Sequence, residues 1–239
     1  MRAIWPSSCR TLKSRAGLAL AARRCGAKER SLTKRFERDL VCGWLYEPAR
    51  PSGKGLVITH GAGSNCESPL LRDVAEAFAD AGFHVLRCDL PYRQLRASGP
   101  PFPGAAARDR EGLQQAAEAM REITPDYVML GGHSYGGRQA TLLAAEAPAI
   151  ADALLLLSYP LHPPRKPEQL RTQHFPHLRT PALFIHGTRD PFGSIEEMSA
   201  ALAAIPARHH LVAIEKAGHE LGATAAAVIL REAECFANV

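Results

Sequence analysis

Along most of this chain, short apolar runs alternate with longer segments whose apolar residues recur every three or four positions. The runs 55–59, 83–88, 127–130, 153–157, 182–186 and 210–214 have the length and aliphatic content of strands, and 40–46 reads as an edge strand before them. Segment 69–81 puts Leu70, Leu71, Val74, Ala77 and Phe78 at helical spacing, and Gly82 closes it. Further helices are predicted over 107–123, 138–147, 195–205 and 223–236, with Pro148 and Pro206 stopping the second and third. Strands and helices in alternation predict an α/β fold, a mostly parallel sheet with helices on both faces. In such sheets the loops at the carboxyl ends of the strands form the ligand crevice. Two of these loops are long. Segment 89–104 holds four prolines, and 158–180 holds five prolines and three histidines. Neither reads as a large helical lid, and each is placed to wall a pocket.

Composition narrows the picture. The 239 residues are 46% hydrophobic, enough for one α/β domain with a sizeable core. No run approaches the ~20 apolar residues of a membrane span. The net charge of +5 is unevenly spread. Residues 1–38 carry 11 Lys or Arg against 2 Glu, whereas the remainder is mildly acidic at −4. Residues 1–37 are therefore read as a basic extension, disordered or targeting-like, and 38–239 as the folded domain. A plain extension is preferred to an organelle presequence or a surface-binding arm. No basic face with interleaved aromatics exists inside the domain, so nucleic acid is not an expected partner. Six scattered cysteines form no C-x-x-C pair and read as free thiols. That favours a reducing compartment and a cytoplasmic address, with the basic segment leaving an organelle open.

The chemistry begins at Gly131-Gly132-His133-Ser134-Tyr135-Gly136-Gly137. This is a G-x-S-x-G sequence entered from a strand and left by a helix. Such a turn lifts a serine hydroxyl clear of the sheet edge, and glycines remove the Cβ atoms that would clash there. Ser134 then needs a base, and the base needs an orienting acid. His219 follows the last strand at its carboxyl end, late in the chain, in the order Ser, acid, His. Asp190 sits just past the strand 182–186 and is the first choice of acid. Glu215 is the second. Asp152 precedes its strand, at the wrong end of the sheet, and Glu196 and Glu197 belong to the first turn of a helix, where carboxylates serve the macrodipole. An oxyanion hole requires two backbone N–H groups. Tyr135 supplies one, and Ala62 or Gly63, in the loop after strand 55–59, the other. His60 is read as a brace for that loop and His133 as packing beneath the turn. Arg93, Arg96 and Arg165 lie on the two pocket loops, where they would favour an anionic substrate, although solvated loop arginines are the ordinary reading.

Taken together, Thr59-His60-Gly61-Ala62-Gly63, the elbow 132–137, His186-Gly187-Thr188-Arg189-Asp190-Pro191-Phe192-Gly193 and Gly218-His219 resemble the α/β-hydrolase superfamily over roughly 38–239. Segment 158–164 (Ser-Tyr-Pro-Leu-His-Pro-Pro) with 188–193 is similar, more narrowly, to a small dienelactone-hydrolase-like group. That group includes a testis-expressed relative and a hydrolase-like domain of a chromatin acetyltransferase complex subunit. The resemblance implies an eight-stranded sheet without a full cap domain, with strand two the antiparallel one, and it assigns catalytic roles to Ser134, Asp190 and His219. It departs from true dienelactone hydrolases, whose nucleophile is a cysteine. The expectation is a serine acyl hydrolase of esterase, thioesterase or lactonase type, acting on a small-molecule ester as a monomer or homodimer, with no cofactor and no metal. The competing expectation is a non-catalytic interaction module that kept the fold.

Overall fold

In the computed structural model, which describes residues 31–222 and 224–237, the apolar runs become strands of one sheet. They are β1 (Leu32–Arg38), β2 (Val41–Glu47), β3 (Lys54–Thr59), β4 (His84–Asp89), β5 (Tyr127–His133), β6 (Ala153–Leu157), β7 (Ala182–Gly187) and β8 (His209–Ile214). Their order across the sheet is β1-β2-β4-β3-β5-β6-β7-β8. β2 runs antiparallel to both neighbours, and every pair from β4 to β8 is parallel. The helices among the described residues are α1 (Pro69–Asp80), α2 (Pro91–Leu95), α3 (Ala105–Ile123), α4 (Tyr135–Glu146), α5 (Ile195–Leu202) and α6 (Ala225–Ala237).

The central strands read as unbroken apolar runs because both faces are covered. Alternate residues feed two separate cores. Leu56, Ile58, Leu155 and Leu157 pack with Leu71, Val74 and Phe78 of α1 and Ile229 and Ala233 of α6. Val57, Leu130, Leu154 and Leu156 pack with Leu113 and Met120 of α3, Leu143 of α4 and Met198 of α5. The pleat thus partitions one sequence run between two layers.

Helix and strand limits shift by a few residues from the expected ones. The largest difference lies at the amino end. Residues 32–37, read as part of the basic extension, belong to β1, which pairs with β2 from Leu32↔Glu47 to Arg38↔Val41. β1 escaped the hydrophobic pattern because it is an exposed edge strand on which Phe36 alone packs toward the core. Its basic residues are structural. Lys34 reaches Glu47 at 2.6 Å, Arg38 reaches Glu122 at 2.7 Å, and Arg35 lies 5.5 Å from the Trp44 ring centre. Charged side chains on an edge strand also discourage pairing with other chains. The targeting-like composition of residues 1–30 lies outside the described residues. Of the cysteines among the described residues, Cys66 and Cys88 are buried, Cys42 is half-buried and Cys235 exposed, all as free thiols.

β5 and β6 approach so closely at Gly131 that a Cβ there would stand 1.9 Å from the carbonyl oxygen of Leu155. Gly131→Ala must push those strands apart next to Ser134. We expect a loss of about 3 kcal/mol or more of unfolding free energy, measured by urea titration. Gly63→Ala, with nothing within 4 Å of the added methyl, should stay within about 1 kcal/mol of the parent.

Candidate active site

β5 ends at His133 and α4 starts at Tyr135, so a single residue, Ser134, makes the turn. Its φ of 51° and ψ of −113° are strained for a residue with a Cβ. Three backbone bonds hold the turn: Ser134 N–H to Leu157 O (2.8 Å), Gly136 N–H to His60 O (3.2 Å) and Arg138 N–H to Ser134 O (3.0 Å). A Cβ on Gly136 would meet Thr59 Cγ2 at 2.6 Å and His60 O at 2.7 Å, so only glycine lets α4 pack this closely on the end of β3. The helix was expected from Arg138. It begins three residues earlier because the elbow runs straight into it.

The side chains chosen from sequence meet. Ser134 Oγ–H donates to His219 Nε2 at 2.8 Å, and His219 Nδ1–H donates to Asp190 Oδ2 at 2.8 Å. The carboxylate can only accept, which fixes the imidazole tautomer. Asp190 leaves the carboxyl end of β7 in a tight turn, where Phe192 N–H donates to its Oδ1 at 2.9 Å. Its side chain is fully buried, whereas that of His219 keeps 18% exposure. Burial works against ionisation of Asp190, but the hydrogen bond and charge of His219 outweigh it and hold the carboxyl below the usual range. Glu215, the second choice of acid, is exposed.

Neighbouring rings fix the imidazole. Phe192 packs on His219 with ring centres 4.3 Å apart. His133 donates from Nε2 to the His219 carbonyl oxygen at 2.9 Å, so this residue ties the elbow to the histidine loop and does more than pack beneath the turn. His60 braces its loop as expected. Its Nδ1–H donates to Gly61 O at 2.9 Å, and its Nε2 accepts from Leu90 N–H at 3.1 Å. Burial pushes the His60 pKa down to about 4, which keeps the acceptor nitrogen free of a proton.

The loop carrying Ala62 and Gly63 is clamped from behind by two residues that the sequence left without a role of this kind. Tyr92 donates its hydroxyl to Ala62 O at 2.8 Å. Arg93, read as a pocket or solvated arginine, is buried. Its guanidinium donates to Ser64 O at 2.6 Å, Ala62 O at 3.1 Å and Gly99 O at 2.8 Å. Arg96 and Arg165 are exposed and do not line the cavity. The cavity beside Ser134, about 540 Å³, is instead lined by Ala62, Tyr135, Phe102, Phe192, Arg138 and Arg171 among others. Both proline-rich loops wall it, through Pro101 and Pro103 on one side and Pro160 on the other. They carry only the five-residue helix α2 and one 3-10 turn at Phe175–His177. Tyr135 points its hydroxyl away, donating to Asp109 Oδ2 at 2.8 Å. No helix among the described residues is long and apolar enough to cross a membrane.

Comparison with known proteins agrees with this architecture. A dienelactone hydrolase from Anabaena variabilis superposes with a TM-score of 0.70 at 26% identity, covering 87% of this chain and 98% of that one. TT1662 from Thermus thermophilus superposes at 0.71 with 22% identity, covering 87% and 98%. XC6422 from Xanthomonas campestris, an α/β serine hydrolase without a lid, matches at 0.66 with 17% identity, covering 85% and 95%. The last two likenesses speak for the fold alone. The family model described as alpha/beta hydrolase domain matches residues 52–234, about three-quarters of the sequence, and the chain therefore belongs to the alpha/beta hydrolase family.

Proposed function

We propose that this hydrolase is a serine acyl hydrolase that cleaves a small ester, thioester or lactone through an acyl-enzyme on Ser134. The observation that carries the reading is the imidazole of His219, bonded at 2.8 Å to a hydroxyl on one side and at 2.8 Å to a carboxylate on the other. Ser134 Oγ attacks the substrate carbonyl while His219 Nε2 takes its proton. Asp190 holds the ring and stabilises the imidazolium that results. The Tyr135 N–H lies in the first turn of α4, where no intrahelical acceptor exists, and is aimed at the developing oxyanion. Ala62 is the better second donor than Gly63, because Ala62 lines the cavity with Ser134. His219 then passes the proton to the leaving group. Water, activated by the same imidazole, releases the acid and restores Ser134.

A fluorophosphonate probe tests this directly, since it reacts only with an activated serine. The parent should be labelled within minutes, and labelling should disappear in His219→Ala, which keeps the hydroxyl and removes its base. Absence of labelling in folded parent protein would favour a non-catalytic module.

A further inference from the structure

Asp109 stands near the start of α3 and is wholly buried, yet it belongs neither to the triad nor to the cavity wall. A buried carboxylate is costly unless its oxygens are bonded. Here each oxygen takes a donor from a different element. Oδ1 accepts the Tyr92 N–H at 3.0 Å, in the first turn of α2, and Oδ2 accepts the Tyr135 hydroxyl at 2.8 Å, at the start of α4. The two tyrosine rings meet edge to face with their centres 5.9 Å apart.

Both donors lead to the oxyanion groups. Tyr135 carries one of the two N–H groups itself. Tyr92 leads to the other, because its hydroxyl donates to Ala62 O at 2.8 Å, and Arg93, the next residue of α2, donates to Ala62 O at 3.1 Å. One carboxylate thus ties the turn after Ser134 to the loop after β3. The bond from Gly136 N–H to His60 O already joins these two segments at one point. The chain through Asp109 is a second tie, and two ties fix an angle as well as a distance. An oxyanion hole needs both, since its two donors must converge on one oxygen atom.

We propose that Asp109 is a positioning residue for the oxyanion hole, holding the Tyr135 and Ala62 N–H groups in register through Tyr135 and Tyr92. This rests on the acyl-hydrolase reading of Ser134. Asp109 itself touches no substrate. Its conservative replacement, Asp109→Asn, keeps the volume but offers one acceptor oxygen where the carboxylate offers two, so its amide N–H₂ must face either the Tyr92 N–H or the Tyr135 hydroxyl. Tyr135→Phe breaks the same chain from the other end and keeps the backbone N–H.

The test compares p-nitrophenyl butyrate with its thiono counterpart, in which sulfur replaces the carbonyl oxygen. Sulfur is larger and accepts hydrogen bonds weakly, so the oxygen-over-sulfur ratio of kcat/KM, corrected for the rates with hydroxide, reads the fit of the hole. The parent ratio should be about a hundredfold or more. It should fall about tenfold in Asp109→Asn and in Tyr135→Phe, the loss on the oxygen ester lying in kcat, with KM within about twofold. Thr180→Val, which removes another buried hydrogen bond, to Pro148 O at the opposite edge of the sheet, should keep the parent ratio. Each ratio is taken within one variant, so partial loss of folded protein cancels. An unchanged ratio in Asp109→Asn, or a loss confined to KM, overturns the proposal. Should Asp109→Asn not fold, Tyr135→Phe decides by the same criterion. A parent that is labelled by fluorophosphonate but shows a ratio near one overturns the positioning role and leaves the hydrolase reading standing. A folded parent that is neither labelled nor active overturns both.

Discussion

Ser134→Ala is expected to lower kcat/KM for an activated ester by roughly 10⁴–10⁶-fold while leaving the unfolding transition close to that of the parent. The size follows from what is removed. Without Oγ there is no acyl-enzyme, and His219 can at best activate water from an awkward position. Residual catalysis should come from the N–H groups of Tyr135 and Ala62 and from binding alone. The fold is spared because the turn is held through the backbone of Ser134, to Leu157 O and from Arg138 N–H, neither of which needs the hydroxyl. The strained φ of 51° is imposed by β5 and α4 and is inherited by alanine. If the three side chains act as a unit, Ser134→Ala combined with His219→Ala should cost little more than either alone. Near-additive losses, or an alanine variant as active as the parent, would sink the assignment.

The elbow was legible because its chemistry is local: a run of glycines around Ser134 between an apolar run and a helix. Asp190 and His219 were legible because strand order places both at the carboxyl edge of the sheet. β1 was not, since an edge strand with both faces mostly wet carries no apolar period, and its lysine and arginines imitated an extension. Arg93 was misjudged because exposure is a tertiary property. Only the fold turns that side chain inward onto the carbonyls of the Ala62 loop. Arg138, which lines the cavity, was passed over although a signal existed, an arginine in the first turn of the helix that the elbow runs into. Arg171 had no such signal, because its position in the 158–180 loop says nothing of where that loop folds back.

Acid should destabilise this protein well above the pH at which carboxylates titrate. Five histidines are held below their ordinary range by burial and rest in the neutral form. Burial pushes both His60 and His174 down to about 4, helped for His174 by the charge of Arg138. Burial also lowers His84, His186 and His133, the last next to His219. In the unfolded chain each takes up a proton near 6.5. Between those values the unfolded state holds more protons than the folded one, so stability rises with pH. The contribution is complete above about 6.5 and drains as pH falls toward 4, by about 1.4 kcal/mol per pH unit for each histidine fully engaged. Asp190 adds a separate loss only at lower pH, which begins where the unfolded carboxyl takes up its proton, near 3.9, and is complete below the depressed folded value. Urea titrations between pH 7.5 and pH 4.5 should therefore show the midpoint falling steeply below about pH 6.5. His174→Gln, which removes one of these groups and leaves an amide to donate toward Thr141, should flatten that slope by about one histidine's worth. A midpoint that stays level down to pH 4.5 would mean that these imidazoles find protons, and partners for them, inside the folded protein. That would contradict the neutral His60 on which the bracing of the Ala62 loop depends.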